Sequence, residues 1–128
     1  MVKVCILDYD VGNLHSVLKA FQFLGIEAKI SDHISDIEDS DLVIEAVIEN
    51  IDVKQKIFTQ IESLVSKDCI IATNTSSLSI ADIASVCSNS SRVLGIHFFN
   101  PVPLMKLVEV IPIEQTDARL IDSVMFTL

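Results

Sequence analysis

Short apolar, β-branched runs alternate with stretches of helical periodicity along the chain, the pattern of βαβ units that build a parallel sheet. Val2 to Asp8 reads as a first strand, apolar on both faces as a buried parallel strand requires. A helix follows from Asn13, its predicted N-cap, with Leu14, Val17, Leu18, Phe21 and Leu24 at helical spacing and Gly25 at its end. Glu27 to Ser31 predicts a second strand. The acidic stretch HISDIEDSD, His33 to Asp41, is too short for a full crossover helix and reads as a loop or one helical turn.

Asp41 to Val47 predicts the third strand, and a helix from Asp52 carries Val53, Ile57, Ile61, Leu64 and Val65 along one stripe. Cys69 to Thr75 is the fourth strand. Ser79 and Asp82 form an S-x-x-D capping box for a short helix with Ile80, Ile83, Ala84 and Val86 inward. Arg92 to Phe99 is the fifth strand. Lys106 to Ile111 returns antiparallel as an edge strand, ended by Pro112. From Thr116 a last helix is expected, capped by Asp117. The expectation is a three-layer, Rossmann-like α/β fold with flavodoxin-like order 2-1-3-4-5, an antiparallel edge strand and one domain over residues 1–128.

Composition narrows the partners. The formal charge is −9, from 9 Lys plus Arg against 18 Asp plus Glu, which disfavours nucleic acid and anionic membrane surfaces. No apolar run approaches the roughly 18 residues of a membrane span, and no leader peptide is read at the start. Cys5, Cys69 and Cys87 are odd in number and lie in apolar runs, which suits reduced thiols in a cytoplasmic protein.

Ligands of such sheets bind beyond the carboxyl ends of the strands where the order reverses. That places the expected crevice between Asp8 to Asn13 and Glu45 to Asn50, with Asn74 to Ser77 beside it. Gly12 with Asn13 reads either as an anion nest or, more simply, as a tight turn and helix cap. Asp8 and Asp10 are two carboxylates without a third ligand in view, so no metal is expected. The Asn74 to Ser77 run serves equally to end a strand and start a helix.

The opening VCILDYDVGNLHSVLKAFQFLG, within residues 1–33, resembles the glutamine amidotransferase subunit of imidazole glycerol phosphate synthase, with Asp10 where that family has glycine. Its chemistry needs a cysteine on a glycine-flanked elbow, and none of the three cysteines has a glycine neighbour. Residues 41–112 resemble the NAD-binding domain of L-3-hydroxyacyl-CoA dehydrogenase through DLVIEAVIEN, NTSSLSI and GIHFFNPVPLMKLVEVI. That resemblance implies His97 as the base that takes the 3-hydroxyl proton and Glu109 as the carboxylate that orients it. Ser76 and Asn100 are implied as substrate-positioning groups. Glu49, Lys54 and Asn74 are implied at the cofactor and active site, and Gly12, through its reading as an anion nest, is the further cofactor candidate.

Two departures qualify what the resemblance implies. The dehydrogenase's first turn is G-x-G-x-x-G, whereas this chain reads DYDVGN, with carboxylates where phosphate charge belongs. The family also has a helical C-terminal domain, for which the 16 residues after Pro112 are too few. His97 on an apolar strand also reads as a core histidine, and Glu109 as a solvent-facing edge residue. The sequence reading is therefore a recombined or engineered scaffold without efficient catalysis, with no cofactor expected, or NAD if the dehydrogenase site survives. The alternative is a 3-hydroxyacyl-CoA dehydrogenase fragment that a second chain completes. A third reading is a module that docks a synthase barrel. Self-association through surface left by the missing domain is expected.

Overall fold

The computed structural model describes residues 2–8, 14–98 and 108–127. Six strands form one sheet: β1 (Val4–Leu7), β2 (Ala28–Ser31), β3 (Leu42–Glu45), β4 (Ile70–Thr73), β5 (Val93–Phe98) and β6 (Val108–Pro112). Their order is β2-β1-β3-β4-β5-β6. The first four pairings are parallel, and β6 runs antiparallel to β5. The predicted order and edge strand are thus the observed ones. β1, buried at all four positions, lies between β2 and β3, with Ile6 opposite Ile30 and Ile44.

Alternation along the strands divides the core into two layers. One face carries Ile6, Ile44, Ala72, Leu94 and Ile96 against Val17, Ala20 and Phe21 of α1 (Leu14–Phe23) and Val124 of α5 (Ala118–Thr127). There Phe21 meets Phe98 edge-on, with centroids 5.1 Å apart. The other face carries Cys5, Leu7, Val43, Ile71 and Val93. It packs on Ile37 of α2 (Ile34–Glu38), Ile57, Phe58 and Ile61 of α3 (Ile51–Leu64), and Ile83 and Ala84 of α4 (Ile80–Ala84).

Local chemistry sets the element ends. Gly25 closes α1 at φ +75°, the left-handed conformation glycine adopts without strain, and the next residue's N–H bonds back to Phe21 O. The expected cap at Asn13 falls outside the described residues. α2 is the single helical turn expected for the acidic stretch. Ser40 Oγ donates to Asp36 O and Ser31 Oγ to the Asp36 carboxylate, which ties this turn to β2. α3 begins before Asp52, because Asn50 Oδ1 accepts the Val53 N–H and serves as the cap. Ser79 caps α4 through the Asp82 N–H, one half of the predicted box. Asp117 caps α5 through the Arg119 N–H.

The cysteines are unpaired. Burial pushes the Cys5 and Cys87 thiols up to about 11 and Cys69 to about 12. Among the described residues no helix is long and apolar enough to cross a membrane, and no cluster of three or more metal-ligating side chains occurs.

Candidate functional site

The carboxyl ends of β3, β4 and β5 bring together most of the polar groups that the sequence singles out. Glu45 ends β3 on the face where Val43 packs into the core, a position where alternation calls for an apolar residue. Its side chain is fully buried, as is that of Lys54 from the first turns of α3. Lys54 Nζ lies 2.7 Å from Glu45 Oε2, 3.1 Å from Val47 O and 3.2 Å from Glu49 Oε1. Three acceptors match the three protons of an ammonium, so the cation is fully engaged within the protein. Glu45 is equally occupied, receiving the Thr73 hydroxyl on Oε1 and the Val47 N–H on Oε2.

Glu49 extends this network toward solvent. Its Oε1 faces Lys54 while Oε2 collects four donors from one turn: Thr75 Oγ1 at 2.8 Å, Ser77 Oγ at 2.7 Å, and the N–H groups of Ser76 and Ser77 at 3.2 and 3.1 Å. Burial alone would raise this carboxyl, but the hydrogen bonds from Ser77 and Thr75 and the Lys54 ammonium outweigh it and hold it down at about 2. Thr75 Oγ1 also accepts the Leu78 N–H, so the turn is closed on both sides. Ser76 is left exposed at its apex. Asn74, just past β4, bonds through its N–H to Glu45 O. Its Oδ1 is buried and has no hydrogen-bond partner among the described residues.

His97 and Glu109 are directly opposed across β5 and β6. Opposed residues of an antiparallel pair share a face, and His97 Nδ1 stands 3.4 Å from Glu109 Oε1. That separation is long for a hydrogen bond. The imidazole is one quarter exposed and the carboxylate half exposed, so His97 is not a sealed core histidine. Thr73 pairs with Gly95, so His97 sits two residues farther along β5, at the end where Asn74 and Ser76 leave β4.

The structure thus gathers Glu49, Lys54, Asn74 and Ser76 around one turn, with the His97–Glu109 pair on the same edge of the sheet. Lys54 differs from the expectation of a cofactor contact, since it is enclosed and spends its donors on Glu45, Val47 and Glu49. Gly12 and Asn100 lie outside the described residues, as does Asp10. Sequence reasoning placed Glu45, Thr75 and Ser77 along the crevice only as parts of longer runs, without a role for any of them, and it missed Thr73. A carboxylate at an inward strand position, followed nine residues later by lysine, was the available signal for Glu45. It also missed Asp32, the exposed residue just after β2. In dinucleotide folds an acid about 20 residues beyond the first turn meets the ribose hydroxyls.

Residues 19–128 match the family model described as 3-hydroxyacyl-CoA dehydrogenase, NAD binding domain. The chain belongs to this dehydrogenase family. It is 42% identical, over 96% of its own length, to a 3-hydroxybutyryl-CoA dehydrogenase of Clostridioides difficile. It is 43% identical, over 75% of its length, to the human mitochondrial hydroxyacyl-coenzyme A dehydrogenase. The (S)-3-hydroxybutyryl-CoA dehydrogenase of Ralstonia eutropha superposes on 99% of the chain with a TM-score of 0.85 at 30% identity. The chain spans 46% of the Clostridioides relative, 31% of the human one and 60% of the Ralstonia structure.

These matches correct the reading of a recombined scaffold. A match to 96% of the chain takes in most of residues 1–18, so the opening segment aligns with dehydrogenases as well. Nothing in the comparisons points to an amidotransferase segment or to an inactive chimera.

The matching family model is that of an NAD-binding domain, and two features of the described residues suit that cofactor. Asn74 Oδ1 is buried without a hydrogen-bond partner among the described residues, an acceptor suited to an amide or a ribose hydroxyl. Asp32 and the exposed Ser76 stand at the carboxyl ends of β2 and β4, the side on which dinucleotides bind.

Proposed function

We propose that this chain is the cofactor-binding and proton-handling part of a 3-hydroxyacyl-CoA dehydrogenase, acting between NAD and the C3 position of a 3-hydroxyacyl-CoA. The single observation that carries this reading is the opposed His97–Glu109 pair, partly exposed at the carboxyl ends of the strands beside the Asn74–Ser77 turn. NAD supplies the hydride acceptor when bound. The chain's own contribution is the proton. Facing Glu109 through Nδ1, His97 takes the proton of a substrate hydroxyl and shares the resulting positive charge with the opposed carboxylate. Ser76, at the apex of the turn, and Asn100 are the groups we assign to hold the substrate oxygen. Asn74 and Asp32 are assigned to the cofactor, and Glu49 and Lys54 hold the turn that bears Asn74 and Ser76.

The test is titration of the purified protein with NADH, followed by cofactor fluorescence and calorimetric heat at low salt. Saturable binding is expected, weakened by Asp8 and Asp10 at the phosphate turn. NADH oxidation on adding acetoacetyl-CoA, lost in His97→Ala, is the second measurement. No binding up to millimolar cofactor would overturn the reading.

Self-association and a cytoplasmic setting belong to the same proposal. Phe23 and Met125, on the two helices that cover one face of the sheet, are 46% and 61% exposed, and we assign a further copy to that face. The unpaired thiols suit a reducing compartment.

A further inference from the structure

We propose that Glu45 is a positioning residue: it fixes the Lys54 ammonium, and through it Glu49, so that the Thr75–Ser77 turn presents Asn74 and Ser76 in one geometry. The inference deepens the reading above, since it concerns what holds that same site.

The argument starts from an anomaly. Glu45 occupies an inward position of a buried parallel strand, where a branched aliphatic would pack at no electrostatic cost. A buried ion pair is generally no more stabilising than apolar residues of similar volume, so stability alone does not account for it. Its geometry does something an apolar pair does not. Glu45 Oε2, Val47 O and Glu49 Oε1 surround Lys54 Nζ at 2.7, 3.1 and 3.2 Å and leave the ammonium no alternative orientation.

Consequently the two oxygens of Glu49 divide their work. Oε1 is captured by Lys54, which turns Oε2 toward the four donors of the Thr75–Ser77 turn. Glu49 is itself 37% exposed and stands in the loop after β3. Without a fixed cation its carboxylate rotates into water, and the turn loses the one acceptor that its two N–H groups and two hydroxyls share. Thr73, whose hydroxyl meets Glu45 and whose Oγ1 accepts the Thr75 N–H at 3.2 Å, is a second tether from the same carboxylate to the same turn.

The experiment compares the wild type, Glu45→Gln and the double variant Glu45→Gln/Lys54→Met. The double variant removes both buried charges and so recovers folding stability if the single variant is poorly folded. Exchange of the Ser76 and Ser77 amide protons is followed by NMR, with β3 and β4 amides as internal reference, beside the melting temperature and the Kd for NADH. In the double variant, Ser76 and Ser77 are expected to exchange about tenfold faster than in the wild type although the melting temperature has returned. NADH binding is expected to weaken by a similar factor. Protection at Ser76 and Ser77 that returns together with thermal stability overturns the proposal and leaves the pair a purely structural one. If the wild type binds no NADH, the dehydrogenase reading fails by itself, while the exchange comparison still decides whether Glu45 sets the turn.

Discussion

Lys54 Nζ lies 2.7 Å from Glu45 Oε2, and neither side chain has any exposed surface. Removing one member of such a pair strands the other as an uncompensated buried charge. Lys54→Met is therefore expected to lower unfolding free energy by about 3–5 kcal/mol, read from urea denaturation at neutral pH. Glu45→Gln in the same chain should recover part of that loss, because it removes the stranded charge while its single carboxamide oxygen keeps only one of the Thr73 and Val47 donors. A Lys54→Met variant as stable as the wild type would mean the pair is not sealed from water.

Glu49 predicts an acid-sensitive contribution. Its carboxyl is held down from 4.5 to about 2, so the folded state binds that proton less readily than the unfolded chain. For a depressed acid the stabilisation is complete above 4.5 and is lost as pH falls toward 2. Asp36 and Glu62 are also lowered and titrate in the same acid range, so the wild-type curve alone does not isolate Glu49. The difference in urea midpoint between wild type and Glu49→Gln does. It should be largest near neutrality and shrink by pH 3. A difference independent of pH would assign Glu49 a packing role only.

Gly95 predicts a steric coupling between β5 and α4. A Cβ at that position would lie 2.5 Å from Ile80 Cδ1 and 3.4 Å from Ile111 Cβ. Ile80 Cδ1 is the end of a side chain and can turn away, so Gly95→Ala is expected to cost about 1–3 kcal/mol rather than to abolish folding. Ile80→Val removes the clashing methyl, and the double variant should be more stable than the two separate losses imply. Strict additivity in a double-mutant cycle would argue against the contact.

Much of the fold was legible because its signals are local. β-branched runs, Ser79 at a cap and Gly25 at a helix end each act within a few residues. The strand order followed from connection rules, whereas the His97–Glu109 pairing was implied by the resemblance to a dehydrogenase rather than by any register read from the residues. The site was legible only in its outward-facing parts. Glu45 sat inside what read as an apolar strand, and its partners come from 9 residues away at Lys54 and 28 at Thr73. No periodicity reports contacts assembled by packing α3 on β3 and β4. Lys54 entered only through the resemblance, as a group at the cofactor, whereas the fold encloses its side chain. The opening turn misled in another way. DYDVGN departs from the glycine-rich pattern, and that local departure was weighed above a likeness that runs along nearly the whole chain.

The His97–Glu109 pair gives the prediction closest to chemistry. If His97 takes the substrate proton and Glu109 acts only by orienting the imidazole and stabilising its charge, the two residues form one unit. His97→Ala should then lower acetoacetyl-CoA-dependent NADH oxidation by roughly 10²–10⁴-fold, the usual worth of a positioned acid–base group. Glu109→Gln should cost less, since a carboxamide opposite His97 keeps the contact but not the charge. The double variant should be no slower than His97→Ala alone, because a carboxylate without its imidazole has nothing left to orient. Glu109 is half exposed on an edge strand, so its replacement should leave the urea midpoint nearly unchanged. Multiplying effects in the double variant would instead give Glu109 a contact of its own with substrate or cofactor.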